Sequence, residues 1–221
     1  MRKLVKFAVM DCNGGDDTCF CVSMGSNRTN DYALVLKFSQ EGLLVQVVDE
    51  EFVLYFEGMP QTDYTHAFVE ENELKVTVPD LSDKNVRKAL KTHPVWQEYN
   101  SRCISCGACT IACSTCTCFT TRDVIYGDNP EVGKRRRVSA SCQIAGFDQM
   151  AGQKEFRSTA AERMRYKVLH KFYDYKARFV EEHMCVGCGR CMRRCPELIS
   201  ISATANKVSA AADEIRVALD R

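Results

Sequence analysis

The chain has 221 residues and a mass of 25.0 kDa, with 30 Lys and Arg against 29 Asp and Glu, 45% hydrophobic and 27% charged residues. These ordinary values exclude a disordered chain, a collagen-like chain and a basic nucleic-acid arm. No apolar run approaches the roughly 18–20 residues that cross a bilayer, and no signal-length apolar stretch follows the basic start, so a soluble cytoplasmic protein with no membrane partner is expected.

Strand signals dominate the first third. Residues 3–9, 32–38, 43–48 and 52–56 are rich in β-branched and aromatic side chains, and 74–78 alternates ahead of Pro79. Between the first two lies a loop, 11–30, rich in Gly, Asp and Cys, with a turn at Asn13-Gly14-Gly15-Asp16. A small antiparallel or mixed sheet follows from this pattern. Helical signals then take over. Ser82 can cap a helix through Leu90 that must stop before His93-Pro94. Thr159 and Glu162 have capping-box spacing, and Met164, Val168, Phe172, Tyr175 and Phe179 follow as one apolar stripe, read as core. Val208, Ala212, Ile215 and Leu219 make a second stripe, and Trp96 reads as core. The fold class is therefore α+β: a strand-rich region over 1–80, then a mainly helical region over 81–221, which two repeated cysteine runs, Cys103–Cys113 and Cys185–Cys195, make a ferredoxin-like di-cluster domain with a long insertion, 114–184.

Charge divides along the same line. Residues 1–100 hold 10 Lys and Arg against 16 Asp and Glu, whereas 131–195 hold 15 against 7. The insertion carries Lys134-Arg135-Arg136-Arg137. This run reads either as a solvated loop balancing anionic clusters or as a docking surface for an acidic redox partner. No aromatic residues interleave within it, so nucleic acid is not an expected partner.

Fourteen cysteines depart from the averages. Without secretion signals thiols stay reduced, so a dense set reads as metal ligands. Cys103, Cys106, Cys109 and Cys113 stand as C-x2-C-x2-C-x3-C, and Cys185, Cys188, Cys191 and Cys195 repeat the spacing, with Pro196 behind them. This is the bacterial ferredoxin run for [4Fe–4S] cubes, in which the fourth cysteine of each run serves the other cube. The crossover gives Cys103, Cys106, Cys109 and Cys195 to a first cluster and Cys185, Cys188, Cys191 and Cys113 to a second. Gly107, Gly187 and Gly189 suit a backbone wrapped closely around such a group. Structural zinc is the competing reading, but its ligands usually come as two pairs across a longer loop. Ser114 stands where Pro196 stands in the second copy, a change that removes no ligand.

Six cysteines remain: Cys12, Cys19, Cys21, Cys116, Cys118 and Cys142. Cys19-Phe20-Cys21 and Cys116-Thr117-Cys118 are C-x-C pairs. Small buried hydrophobes are one reading, and a third iron–sulfur cluster or mononuclear metal site drawn from this set is the other. His66, His93, His170 and His183 share no ligand spacing, although His183 lies close enough to Cys185 to hydrogen-bond a cluster. There is no G-x-G-x-x-G and no P-loop, hence no nucleotide or flavin site and no catalytic residue is expected on this chain.

The segment Cys19-Phe20-Cys21-Val22-Ser23-Met24-Gly25 resembles the corresponding stretch of the family of iron–sulfur electron-transfer subunits of anaerobic sulfite reductase. So do Arg102-Cys103-Ile104-Ser105-Cys106-Gly107, Ser114-Thr115-Cys116-Thr117-Cys118, Glu162-Arg163-Met164-Arg165-Tyr166, Tyr173-Asp174-Tyr175-Lys176-Ala177-Arg178 and Met184-Cys185-Val186-Gly187-Cys188-Gly189-Arg190-Cys191. The iron–sulfur β subunits of sulfhydrogenases are similar, more distantly, in the same segments. The resemblance implies a relay between two partners: a flavin subunit that oxidises NADH, and a sirohaem subunit that reduces sulfite. It also implies a longer segment ahead of the C-F-C motif than is present here, as in a short form or a piece of a longer chain.

Overall fold

The computed structural model describes residues 4–12, 15–127, 129, 131–179 and 182–221. The start of the first predicted strand and Asn13-Gly14 of the expected turn lie outside the described residues. The N-terminal region forms a three-stranded mixed sheet of β1 (Ala8–Met10), β2 (Leu34–Ser39) and β3 (Gly42–Val47). β1 runs parallel to β2, and β2 and β3 form a hairpin in which Leu34 opposes Val47 and Ser39 opposes Gly42. Four residues, α1 (Cys21–Met24), make a single helical turn between β1 and β2, closed by Gly25 in the left-handed region.

Two predicted strands are corrected. Residues 52–56 lie in a 3-10 helix, Glu50–Phe56, started by Asp49, whose carboxylate accepts from the Glu51 N–H. An Asp followed by two Glu favours a helical start, because the first backbone N–H groups attract negative charge. Residues 74–78 form no strand: Leu74 lies in a bend and 75–78 are irregular. Their backbone groups are satisfied by side chains: Val76 N–H donates to Ser23 Oγ at 3.0 Å, Thr77 N–H to Asn206 Oδ1 at 2.8 Å, and the Lys75 carbonyl accepts from Asn206 Nδ2 at 3.2 Å.

Helices build the main core. They are α2 (Lys84–Leu90), α3 (Tyr99–Arg102), α4 (Ala108–Ile111), α5 (Ala160–Leu169), α6 (Tyr175–Arg178), α7 (Arg190–Arg193) and α8 (Ile201–Leu219). Asp83, not Ser82, caps α2, and the helix ends at Leu90. Thr159 and Glu162 form the expected capping box at α5. One turn of π-helix, His170–Asp174, joins α5 to α6. The extra residue of that turn ends the apolar stripe early, because the helix face rotates past it. Met164, Val168 and Phe172 are buried, Tyr175 is half-buried and Phe179 is exposed. On α8 likewise, Val208 and Ala212 are buried while Leu219 is exposed.

The core joins both ends of the chain: Phe20 and Val76 share it with Leu81, Val86, Leu90, Trp96, Tyr99, Val168 and Val208. Its buried polar tips are paired. Trp96 Nε1 donates to the Leu90 carbonyl at 2.7 Å, and Tyr99 Oη donates to Thr204 Oγ1 at 2.8 Å. A further two-stranded ribbon, β4 (Phe119–Ile125) with β5 (Gly133–Ser139), stands between the two cysteine runs. The basic run is thus strand rather than loop.

The 18–21 segment is seated on the loop around Gly187. Phe20 N–H donates to the Gly187 carbonyl at 2.8 Å, and a Cβ at Gly187 would lie 2.6 Å from the Phe20 carbonyl carbon. Gly187→Ala should therefore destabilise by more than Gly25→Ala, whose site has a similar positive φ but no atoms within 4 Å. Both incur the left-handed penalty of about 1–2 kcal/mol, and Gly187→Ala adds about 1–3 kcal/mol of overlap. Denaturant unfolding of the two variants checks this, and equal losses would contradict it.

Candidate metal centre

The two cysteine runs fold the same way. In the first, α3 ends at Cys103, the chain turns through Ser105 at φ 57° and Gly107 at φ 76°, and α4 carries Cys109 inward. In the second, Gly187 at φ 66° and Gly189 at φ 67° occupy the equivalent places ahead of α7 and Cys191. Ser105 therefore holds a left-handed conformation that its counterpart meets with glycine. Arg163 supports it: Nη2 donates to Ser105 Oγ at 2.8 Å, and Nε donates to the Gln143 carbonyl at 3.1 Å. Gln143 Nε2 returns a bond to the Arg163 carbonyl at 2.8 Å. The helices α4 and α7 pack against each other.

Cys103, Cys106, Cys109 and Cys195, the first expected set, line one cavity with Cys191. Its empty space is about 480 Å³, open mouth included, and its other walls include Ile104, Met164, Pro196, Ile199 and Ile201. The Ile199 N–H donates to Cys195 Sγ at 3.3 Å. Soft thiols around an apolar cavity, with a backbone N–H aimed at sulfur, fit an iron–sulfur cluster. Of the second expected set, Cys113 and Cys185 lie against Lys171. Lys171 Nζ donates to Cys113 Sγ at 3.2 Å, and the Cys185 N–H donates to the Lys171 carbonyl at 3.3 Å. Cys185 lies within electrostatic reach of Cys191 and Cys113, and Cys191 within reach of Cys113 and Cys188. Among the described residues, no group of three or more His, Cys, Asp or Glu is disposed to hold a metal ion directly. A cluster of several atoms asks for a wider ring of thiols than one ion does.

Burial and cations pull the thiols in opposite directions. Burial pushes Cys185 up to about 11 and raises Cys191. Cys113 is lowered to about 3, first by the hydrogen bond from Cys116 and also by Lys171, while Cys116 is raised by that same bond. The charge is thus placed on Cys113, the residue expected to ligate.

Three buried cations beside the cysteine runs, of which Lys167 and Lys171 act on the thiols, were not singled out by the sequence. Arg163, Lys167 and Lys171 are buried, 6%, 4% and 5% exposed, and recur every four residues along α5 and the π turn. The signal was present as a basic i, i+4, i+8 series lying one residue ahead of the buried positions Met164, Val168 and Phe172.

The six spare cysteines are dispersed. Cys116 contacts Cys113, Cys118 lies against Cys142, and Cys142 is buried beside Thr110 Oγ1 at 3.9 Å and Gln143 Nε2 at 3.7 Å. Cys19 Sγ faces the Cys188 carbonyl at 3.9 Å, Cys21 Sγ faces Asn72 Oδ1 at 3.5 Å, and Cys12 is exposed. The Cys19–Cys21 pair thus lies by the second run, whereas Cys116 and Cys118 lie by the end of the first run and by Cys142. His183 turns toward the backbone of Phe172, and Nδ1 is buried without a partner.

The expected crossover carries a direct prediction. Cys195→Ser should disturb the cluster held by Cys103, Cys106 and Cys109, and Cys113→Ser the cluster held by Cys185, Cys188 and Cys191. EPR of the reduced variants should show one signal altered in each case. Alteration of the cluster nearest in sequence would contradict the assignment.

Residues 102–199 match the family described as a 4Fe-4S dicluster domain. Over 197 residues the chain is 32% identical to the sulfhydrogenase 2 subunit beta of Pyrococcus furiosus, an alignment covering 83% of this chain and 57% of that protein. The chain thus spans a little over half the length of this curated relative. No solved structure gives a significant match. Two cysteine runs of one backbone course, a thiol-lined cavity and these likenesses support an iron–sulfur electron-transfer subunit.

Proposed function

We propose that this chain is the electron-relay subunit of a cytoplasmic anaerobic sulfite reductase, with two partners: a flavin subunit that oxidises NADH, and a sirohaem subunit. The observation that carries the relay reading is that Cys191, of the second run, lines the cavity formed by the first set. Two centres held on these residues would be neighbours. A [4Fe–4S] cube supplies one-electron oxidation and reduction when bound. The residues of this chain hold the thiols, exclude water with Met164, Ile199 and Ile201, and set local charge with Lys167 and Lys171. Sulfite to sulfide needs six electrons, so a path fed one electron at a time suits that chemistry.

The choice of sulfite reductase rests on the segments quoted above, from Cys19-Phe20-Cys21 to Gly189-Arg190-Cys191. The likeness to a sulfhydrogenase β subunit favours a second reading, a relay in a hydrogenase-type complex. Anaerobic purification of the tagged chain from its host separates the two. A sirohaem partner and NADH-driven sulfite reduction are expected, with reduction lost when this chain is omitted. A nickel–iron partner would establish the second reading. Colourless protein with zinc and no acid-labile sulfide would sink both.

The ribbon is the proposed docking face of that relay. Arg122 opposes Arg136 and Val124 opposes Lys134, so three cations share one face, whereas Arg135 on the other face is paired with Asp123 at 2.7 Å. Like charges directly opposite one another destabilise a hairpin and are relieved by an acidic surface. Reversal of both, Arg122→Glu with Arg136→Glu, should weaken partner association, and association of the unaltered protein should fall with salt as the Debye length shrinks from about 10 Å at 0.1 M to about 3 Å at 1 M. Co-purification across a salt series measures both effects. Salt-insensitive association would favour the solvated reading of the ribbon.

A further inference from the structure

Two lysines are buried against sulfur. Among the described residues neither Lys167 nor Lys171 has a carboxylate partner, and both are almost fully buried. A buried ammonium needs a compensating negative charge, because the interior solvates it poorly. Lys171 finds Cys113 at 3.2 Å and, at 3.5 Å, the Thr115 hydroxyl. Lys167 sits in the wall of the first cavity together with Cys103, Cys106, Cys109, Cys191 and Cys195. Its ammonium lies within electrostatic reach of Cys109 and of Cys191, which line the same wall. Cys109 belongs to the first expected set and Cys191 to the second, so one cation stands at the seam between them.

Reduction adds a negative charge to a cluster. A fixed cation nearby stabilises the reduced form, as does an N–H donor to ligand sulfur, and both raise the potential. Burial keeps salt from screening this effect. We infer that Lys167 is a positioning residue shared by both clusters, holding the potential of each up together, whereas Lys171 acts on the cluster that contains Cys113. This inference rests on the relay reading and goes beyond it. It assigns a common upward shift of the two potentials to one side chain.

The test is a potentiometric titration of the anaerobic full-length chain followed by EPR, with Lys167→Met, Lys167→Gln, Lys167→Arg and Lys171→Met. Lys167→Met and Lys167→Gln should each lower both midpoint potentials, by at least about 59 mV, a roughly tenfold shift of the one-electron equilibrium toward the oxidised form. Lys167→Arg should restore both, and Lys171→Met should lower only one. If Lys167→Met fails to assemble its clusters, the comparison of Lys167→Gln with Lys167→Arg decides alone, because both keep a donor and only one keeps the charge. Movement of one potential only, or of neither, with both EPR signals intact would overturn the inference. Absence of cluster signals from the unaltered protein would instead overturn the relay reading beneath it.

Discussion

The arrangement depends on the mutual need of buried thiols and buried cations. Placed alone in an apolar interior, the ammonium groups of Lys167 and Lys171 would be strongly disfavoured, and so would a thiolate at Cys113. Together they compensate, and the geometry that brings them together is that of one helix. Arg163, Lys167 and Lys171 point inward from successive turns. Arg163 ties down Ser105 and Gln143 beside the first cysteine run, Lys167 stands between the runs, and Lys171 reaches the end of the first run at Cys113. The helix that looks in the sequence like a piece of core is therefore also the electrostatic spine of the site.

The two outer segments serve the two loops in parallel fashion. Residues 141–143 press on the first run, where a Cβ at Gly107 would lie 3.0 Å from the Ser141 side chain. The 18–21 segment presses on the second run at Gly187 and Gly189. Each covering segment carries cysteine, Cys142 in one and Cys19 with Cys21 in the other. The N-terminal region is thereby joined to the cysteine runs by direct backbone contact, as well as through the shared core around Phe20. The ribbon β4–β5 begins one residue after Cys118 and ends three before Cys142. A partner seated on it would lie next to the end of the first run rather than at a remote face.

Much of this was legible because its causes are local. The repeat of C-x2-C-x2-C-x3-C fixes which side chains can share a cavity, and the glycines mark where the chain must turn through positive φ. The Thr159–Glu162 box names its own helix start. What escaped was decided by tertiary pairing. Residues 74–78 alternate like a strand, yet their partners are Ser23 and Asn206 side chains from distant segments. The 52–56 segment has strand-forming residues, but Asp49, Glu50 and Glu51 ahead of it start a helical turn instead. The basic run could not reveal itself as a strand, because charged residues on both faces of an exposed ribbon leave no apolar alternation to read. Ser105 hid its positive φ for the same kind of reason: an arginine 58 positions away holds it there.

The most direct test of the central claim, that these cysteines hold two cubes, is iron and acid-labile sulfide per chain on anaerobically prepared protein, with EPR of the reduced form. About eight irons and eight sulfides, with two interacting signals, is the predicted result. About four irons, or zinc in place of iron and sulfide, would contradict it.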